Sequence, residues 1–155
     1  MIIVSDTSVL IAFYSIGKLG LLKAIFNEVL VPEGVSIELA NEEHSFKLED
    51  WIKVRKITNS DLFMSFHLNL DKGESEALTL AIEMHPDYIL LDDKEARKIA
   101  KTIGLNVIGT VGILLLAKKK GLILKVMEEI EKLETLINFR LSNDLKLLIK
   151  NAANE

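Results

Sequence analysis

The sequence predicts an α/β fold with three layers, in which a mostly parallel sheet of about five strands lies between helices. Short apolar segments rich in Val and Ile alternate along the 155 residues with segments whose apolar residues recur at helical spacing. When strands and helices alternate at these lengths, right-handed βαβ crossovers place helices on both faces of a parallel sheet. The order of the segments therefore favours a doubly covered sheet over an all-helical or all-strand fold.

The individual elements follow from apolar periodicity and from turn-forming residues. In the first half the sequence predicts a strand over 2–5, a helix from Thr7, a short helix over 19–26, a strand over 28–31, a helix from Pro32 to about residue 43, an edge strand over 51–57 and a helix over 59–70. In the second half it predicts a helix over 71–84, a strand over 88–91, a helix over 94–103 ended by Gly104, a strand over 106–108, a helix over 109–120 and two amphipathic helices within 123–153. We expect a single domain over 1–155, with the helices of 123–155 packed on it or used in association.

The composition restricts both the chemistry and the compartment. The chain has no cysteine, which excludes a disulfide framework, a thiolate nucleophile and a cysteine-bound zinc. The net charge is −4 and the isoelectric point is about 5.5, so the surface is not basic throughout, as it would be in a general nucleic-acid-binding protein. There is no basic leader, and the apolar runs are too short to span a bilayer, so we expect a cytoplasmic protein with no membrane partner.

Carboxylates stand at three places where a strand or loop leads into a helix: Asp6 before Thr7 and Ser8, Asp71 to Glu74, and Asp92 with Asp93. Ligands of open α/β sheets bind beyond the carboxyl ends of the strands, so Asp6 and the Asp92–Asp93 pair are expected at one sheet edge. Carboxylates that lie close together repel one another, and a hard divalent cation such as Mg²⁺ or Mn²⁺ relieves that repulsion.

Each of these motifs also has a purely structural interpretation. Asp, Thr and Ser are good helix N-caps, and the pairs Asp71–Glu74 and Asp92–Glu95 both have the spacing of a capping box. Metal-binding spacing is missing among the histidines, which we expect on the surface: His44, His67 and His85.

Four segments, in this order, resemble those of PIN-domain nucleases: VSDTSVLI at 4–11, VPEGVSIEL at 31–39, LDKGESEALTLA at 70–81 and ILLDDKEARKIAKTIGLNVIGTVGILLLAKKKGLI at 89–123. The resemblance covers nearly the whole chain and is greatest to a toxin-like branch related to VapC, of the DUF3368 type. It implies a Mg²⁺- or Mn²⁺-dependent endoribonuclease that acts as the toxin of a toxin–antitoxin pair.

The same resemblance implies roles for individual residues. Asp6 matches the first metal-binding aspartate, Glu38 the helical glutamate, Glu74 the third acid, and Asp92 or Asp93 the fourth. Many relatives have Asp where this chain has Glu74, and the doubled aspartate leaves the fourth metal ligand open. Hydroxyl positions near the family's site are matched by three residues that N-capping explains equally well: Thr7, Ser8 and Thr110.

Metal-assisted hydrolysis of a phosphodiester is the chemistry that such a group of acids supports, with Glu74 or Asp93 available to orient the attacking water. RNA as the substrate is implied by the resemblance alone. Candidates for contact with the RNA backbone lie on the predicted 94–103 helix and at the end of the predicted 109–120 helix: Lys94, Arg97, Lys98, Lys101 and Lys118 to Lys120. The lysine triplet is also explained as a solvated helix end.

Two other functions compete with the nuclease interpretation. A phosphoacceptor or phosphatase domain also carries an Asp after its first strand, but Ser8 stands where an Asp-x-Asp motif needs its second acid, and no glycine-rich phosphate loop follows. A PIN-like fold that binds partners without catalysis would retain all four acid positions.

The C-terminal segment carries two apolar stripes at helical spacing: Val126, Ile130, Leu133 and Ile137, and then Leu145, Leu148 and Ile149. Either they pack within the chain or part of them forms an interface, because exposed apolar patches usually mark interaction surfaces. PIN toxins commonly form homodimers that a small antitoxin inhibits, so the resemblance implies a symmetric homodimer and a protein inhibitor.

Overall fold

The sheet is built around the first strand of the chain. A computed structural model describes residues 1–41 and 46–155. Its strands are β1 (Ile3–Ser5), β2 (Val29–Pro32), β3 (Ile52–Arg55), β4 (Tyr88–Leu90) and β5 (Val107–Ile108), in the order β3-β2-β1-β4-β5. Every strand pair in the described residues is parallel, so the predicted α/β fold with five strands is confirmed.

The helices cover both faces of this sheet. They are α1 (Thr7–Ser15), α2 (Gly20–Phe26), α3 (Glu33–Ala40), α4 (Ser60–His67), α5 (Lys72–Met84), α6 (Lys94–Thr102), α7 (Thr110–Lys119), α8 (Val126–Leu136) and α9 (Asn143–Ala153). Gly104 follows α6 with φ of +85°, a left-handed conformation that favours glycine, as expected of a helix terminator. Helix α3 ends at Ala40, earlier than predicted; residues 42 and 43, like His44, lie outside the described residues.

Alternate residues of the strands supply two separate cores. Ile3 and Leu90 belong to a cluster with α1, α7 and α8, whereas Val4 and Ile89 belong to a cluster with α5 and α6. This alternation is the two-residue period of a strand that is buried on both faces. It produces the three layers, with α5 and α6 on one side of the sheet and α1, α7 and α8 on the other.

After β1 the chain adds β2 and then β3 along one edge of β1, and it later adds β4 and β5 along the opposite edge. The strand order therefore reverses between β1 and β4. In open parallel sheets the crevice beyond the carboxyl ends of the strands at such a reversal is where ligands bind. The residues that follow β1 and β4 are accordingly the first place to look for a site.

The two C-terminal stripes behave differently. Val126, Ile130 and Leu133 of the first stripe are fully buried in the core of the chain itself, so this stripe does not form a surface. On α9 only Ile149 of the second stripe is buried, while Leu145 and Leu148 are 41% and 65% exposed. The internal packing thus accounts for α8 and leaves one side of α9 uncovered.

Helix α8 begins without a side-chain cap of its own. The carboxylate of Glu155 supplies one from beyond α9, because it accepts hydrogen bonds from the backbone N–H groups of Val126 (2.7 Å) and Met127 (3.1 Å). Lys118 on α7 donates to the same carboxylate at 2.8 Å and to the carbonyl oxygen of Ala153 at 2.5 Å. One side chain therefore ties the last three helices together.

No single helix in residues 1–41 and 46–155 is long and apolar enough to cross a bilayer; α1 and α2, which meet at 120°, satisfy the length and composition criteria only as a pair.

We predict that Glu155→Gln destabilises the protein by about 1–3 kcal/mol at pH 7, the usual contribution of hydrogen bonds to a charged group. Burial raises the pKa of Glu155, but the hydrogen bonds from Lys118, Val126 and Met127 outweigh it and hold that pKa below its ordinary value of 4.5. Stabilisation by the carboxylate is therefore complete above pH 4.5 and is lost as the pH falls through the lower pKa of the folded protein. Urea unfolding at a series of pH values measures this.

The matched control is Glu128→Gln, since Glu128 is also near the start of α8 but is 59% exposed and pairs with Lys125 at 3.6 Å. Exposed pairs of this kind contribute about 0–1 kcal/mol. Equal losses in both variants, or a Glu155→Gln deficit that persists unchanged at pH 3, would contradict the role of Glu155.

Candidate active site

Asp6 lies directly after β1 and is almost completely buried, with 1% of its surface exposed. It is the N-cap of α1, because its Oδ1 accepts a hydrogen bond from the N–H of Val9 at 3.3 Å. Its backbone N–H donates to the carbonyl oxygen of Leu90, which continues the pairing of β1 with β4. The other carboxylate oxygen, Oδ2, is buried without a hydrogen-bond partner. Capping thus explains only half of this carboxylate.

Other acids surround this buried group. Burial and then the charge of Asp92 raise the pKa of Asp6 well above its ordinary value, with smaller contributions from Glu74 and Asp71; the hydrogen bond from Val9 acts in the opposite direction. Buried polar groups normally have partners, and a carboxylate with a free oxygen among like charges is costly. A bound cation would satisfy both the free oxygen and the charge.

Glu74 is in the first turn of α5, in the capping box predicted from the sequence. Asp71 Oδ1 accepts from the N–H of Glu74 at 2.8 Å, and Glu74 Oε2 accepts from the N–H of Asp71 at 3.3 Å. Burial, followed by the charges of Asp71 and Asp93, raises the pKa of Glu74 to about 7. Glu74 is therefore both a helix cap and a member of the acidic group.

Asp92 is held by the first residue of α7. Thr110 donates to both of its carboxylate oxygens, through its N–H to Oδ1 at 2.8 Å and through its hydroxyl to Oδ2 at 2.5 Å. Thr110 is itself fully buried, so its hydroxyl has a fixed position. The orientation of Asp92 is thereby set by an element that begins 18 residues further along the chain.

Asp93 has a different role from its neighbour. Its Oδ2 accepts from the N–H of Ala96 at 2.9 Å, which makes Asp93 the N-cap of α6. The capping box expected from Asp92 and Glu95 is therefore wrong: the cap lies one residue later, which leaves Asp92 free to turn toward Thr110. Asp92 acts electrostatically on Asp6, and Asp93 acts on Glu74.

Glu38 approaches from α3. It is exposed, and its Oε2 accepts a hydrogen bond from the hydroxyl of Thr7 at 2.7 Å. The same oxygen lies against Gly73 at the start of α5, where an added Cβ would be only 2.8 Å away. Glu38 thus contacts the starts of both α1 and α5. Its partner on α1, Thr7, directly follows Asp6 in the sequence.

Arg97 and Ser8 complete the predicted residues. Arg97 is half-buried on α6 and donates from Nη1 to the carbonyl oxygen of Leu91 at 2.9 Å. Its guanidinium and the carboxylate of Asp92 both lie so close to Gly109 that a Cβ atom there would overlap with them. Ser8 is exposed in the first turn of α1. His67 and His85, expected on the surface, are both exposed.

The donor set fits a hard divalent cation in its chemistry, since every candidate ligand is a carboxylate oxygen. The unpartnered buried oxygen of Asp6 is the specific observation in favour. Within residues 1–41 and 46–155, no three acidic or histidine side chains already have the arrangement of a metal-binding group. The charges of Asp92 and Glu74 therefore act on Asp6, but the three carboxylates would have to move closer together to bind one ion.

The comparison with known families agrees with this geometry. The sequence matches the family model DUF3368, a PIN domain, over residues 2–155. The chain belongs to the PIN-domain family. Members of this family are generally nucleases. Among curated proteins no match is found.

Several residues of this PIN domain's site were missed by the sequence analysis. Asp71 was interpreted only as a cap, yet its charge acts on both Asp6 and Glu74. Gly73 and Gly109 were not singled out, although each allows a site carboxylate to lie against the backbone. Each of these glycines stands at the start of a helix and directly before a site residue, Glu74 or Thr110. That position in the sequence could have indicated a close approach to the backbone.

Glu76 is a further buried acid, one turn after Gly73 on α5. It is 9% exposed, its Oε2 has no hydrogen-bond partner, and it lies so close to Gly34 of α3 that an added Cβ would overlap with the carboxylate. Gly34 and Glu38 are four residues apart and share one face of α3. The contact with Glu76 therefore sets how closely α3 approaches α5, and with it the position of Glu38.

We predict that Gly34→Ala destabilises the protein by about 1–3 kcal/mol, as overpacking of a buried contact does. In a Glu76→Ala background the same change should be neutral or stabilising, because the overlap is gone and alanine is the better helix former by about 0.5–1 kcal/mol. Denaturant unfolding of the four proteins of this cycle measures the coupling.

The control is Gly20→Ala, a helical glycine with no atom within 4 Å of the added Cβ. It should leave the stability unchanged or raise it. A Gly34→Ala cost that is the same with and without Glu76 would refute the contact.

We also predict that Asp6→Asn stabilises the metal-free protein at neutral pH. Burial and the charges of Asp92, Glu74 and Asp71 hold the pKa of Asp6 well above its ordinary value, so folding opposes an ionisation that is free in the unfolded chain. The expected gain is about 1–2 kcal/mol, on the scale of an unsatisfied buried group, or about 2–8 °C in Tm for a chain of this size. Thermal unfolding in EDTA measures it. Asp61→Asn, which changes the same charge in the exposed first turn of α4, is the control. An equal rise in both variants, or a fall for Asp6→Asn, would contradict a strained Asp6.

Proposed function

We propose that this PIN domain is a Mg²⁺- or Mn²⁺-dependent endoribonuclease, and that it is the toxin component of a toxin–antitoxin pair. The observation that supports this most is the buried carboxylate of Asp6, which has an unpartnered oxygen and stands among other acids where the strand order reverses. Natural proteins retain such an unfavourable group chiefly at functional sites. RNA as the substrate and the toxin role rest on the resemblance of the sequence to PIN toxins.

Asp6, Asp92 and Glu74 are the residues that would hold the metal, with Asp93 and Glu38 at its edge. A divalent ion bound there would polarise the phosphoryl oxygen, lower the pKa of a bound water and stabilise the leaving oxygen. The remaining contributions come from the chain itself. Thr110 fixes both oxygens of Asp92, and Thr7 fixes one oxygen of Glu38, so the ligands are oriented before substrate arrives.

Glu74 is the residue best suited to carry a proton. Its pKa of about 7 lets it exchange a proton near neutral pH in the metal-free protein. It is half-buried at the start of α5, so it is reachable from the crevice. We assign one of its oxygens to the metal and the other to the orientation and deprotonation of the attacking water, while Asp93 remains the cap of α6.

The proposed contacts with the RNA backbone come from basic side chains of α6. Lys94, Lys98 and Lys101 are exposed on the helix that begins at Asp93, and Arg97 reaches back toward Asp92. The net charge of −4 keeps nonspecific attraction to nucleic acid low, so binding would depend on this local patch and on the bound cation.

We further propose a symmetric homodimer, a small antitoxin protein as inhibitor and a cytoplasmic location. For the dimer, the support is apolar surface in the C-terminal segment: Leu147 on α9 and Leu124 before α8 are 59% and 88% exposed. Exposed apolar side chains that form a contiguous patch are typical of an interface. The antitoxin and the compartment rest on the family resemblance.

We predict that the protein cleaves total RNA in the presence of Mg²⁺ or Mn²⁺ and that EDTA abolishes this cleavage. Asp6→Asn should reduce it to background. Thr110→Val keeps the N–H that Asp92 accepts but removes the hydroxyl, and loss of such an orienting group typically costs about 10–100-fold. Thr110→Ser retains the hydroxyl and should stay close to the wild-type rate. Gel analysis with end-mapping of the fragments measures all of these.

Unchanged cleavage by Asp6→Asn, or cleavage that resists EDTA, would refute the metal nuclease. If Mg²⁺ raises the Tm of the wild-type protein but not of Asp6→Asn, and no RNA is cleaved, the chain is instead a catalytically silent PIN-fold binding module.

A further inference from the structure

A groove opens beside the acidic crevice, and Asp92 is part of its lining. It has a volume of about 600 Å³ and lies between β5, the start of α7, the segment 139–141 and α9. Asp92 and Arg97 belong to its lining, so the groove and the acidic site share residues. We refer to it as the β5–α9 groove.

The walls of the β5–α9 groove are mostly apolar. The lining includes Ile108 of β5 and Val111 of α7, Leu141 and Leu145 from the C-terminal segment, and the half-buried ring of Phe139. A volume of about 600 Å³ is in the middle of the range of small-molecule pockets, about 300–1,000 Å³, which are also mostly apolar with a few polar groups. The groove is thus of a size for one nucleoside-like ligand.

The cationic groups of the groove are two arginines. Arg97 lies near Asp92, since both approach Gly109, and Arg140 is exposed in the segment that carries Phe139. Arg97 uses one N–H on the carbonyl oxygen of Leu91, and Arg140 makes only long contacts of 3.3 Å to the carbonyl oxygens of Glu134 and Phe139. Both guanidinium groups therefore retain donors that match phosphate oxygens.

We propose that the β5–α9 groove is a nucleoside subsite, which binds the base and ribose of a nucleotide next to the scissile phosphate. The base packs on Phe139 and the aliphatic walls, as flipped or single-stranded bases do in apolar pockets. The phosphates on either side of that nucleotide contact Arg97 and Arg140. The proposal rests on the proposed nuclease function, since that function places a phosphate at Asp92.

A nucleoside explains the groove better than a protein segment does. The groove is continuous with the acidic crevice, so a chain whose phosphate lies at Asp92 must place a neighbouring nucleotide at or near it. Its charged groups other than Asp92 are guanidinium groups, which complement a polyanion. A second copy of the chain covering the groove is treated below as an outcome of the test.

The test uses the whole protein with ¹³C-labelled Ile, Leu and Val methyl groups in EDTA, so that no hydrolysis occurs. AMP, GMP, CMP and UMP are titrated in turn, with ribose 5-phosphate as the probe that lacks a base. We expect saturable shifts of the methyl signals of Ile108, Val111, Leu141 and Leu145 with at least one nucleotide, and much smaller shifts with ribose 5-phosphate at the same concentration.

Two matched pairs of variants locate the binding. Leu145→Trp fills the groove from a position that is 41% exposed and should weaken nucleotide affinity by about tenfold or more. Leu136→Trp, at a 55% exposed position on α8 outside the groove, should leave the affinity within about twofold. Arg140→Gln should weaken AMP but not adenosine, whereas Lys150→Gln on the exposed side of α9 should change neither. Melting curves establish that each variant folds.

Three results would overturn the subsite: no shifts at the groove methyls, equal shifts with ribose 5-phosphate, or groove methyls covered in a dimer that sedimentation detects and nucleotides do not displace. Because this binding is measured without metal or cleavage, its failure is separable from that of the nuclease. RNA cleavage without nucleotide binding here would refute only the subsite. Base-dependent binding without cleavage would support the subsite and refute only the nuclease.

Discussion

The constraint on which the structure depends most is the burial of the Asp6 carboxylate at the junction of β1 and α1. One oxygen caps α1, and the other has no partner in a place where water is excluded and other acids lie nearby. Such a group costs the fold stability, and a protein in which it persists must compensate elsewhere. Here the compensation is the central strand itself, whose residues Ile3 and Val4 are fully buried in separate cores.

Three glycines allow the elements that carry the acids to approach one another closely, because no side chain stands at the point of contact. Gly73 lets Glu38 reach the start of α5, Gly109 lets Asp92 and Arg97 pack against the start of α7, and Gly34 receives Glu76. A methyl group at any of these positions would move a helix or displace a carboxylate. The site is therefore a property of how closely α3, α5 and α7 approach one another, and its stability and its chemistry are linked through the same three contacts.

The C-terminal helices do more than cover the sheet, because they also fill the core and form one wall of the β5–α9 groove. Helix α8 contributes Val126 and Leu133 to the core. Glu155, which follows α9 in the sequence, accepts a hydrogen bond from the start of α8. That attachment fixes the face of α9 that forms one wall of the β5–α9 groove. A change at Glu155 would consequently reach the groove through α9, although the two are separated along the chain.

The sequence by itself determined the order and type of the elements, the parallel sheet and the placement of acids after β1 and β4. These follow from short-range patterns: apolar runs for buried strands, helical spacing, and cap residues such as Asp71 with Glu74. Only the tertiary structure decided that Asp92 turns toward Thr110 while Asp93 caps α6, that Val126, Ile130 and Leu133 are internal, and that Glu76 lies on Gly34. The reason is physical: periodicity and capping depend on residues within a turn or two of one another. The contacts of Asp92 with Thr110 and of Glu76 with Gly34 instead join residues 18 and 42 positions apart, and their geometry is fixed only when the helices pack.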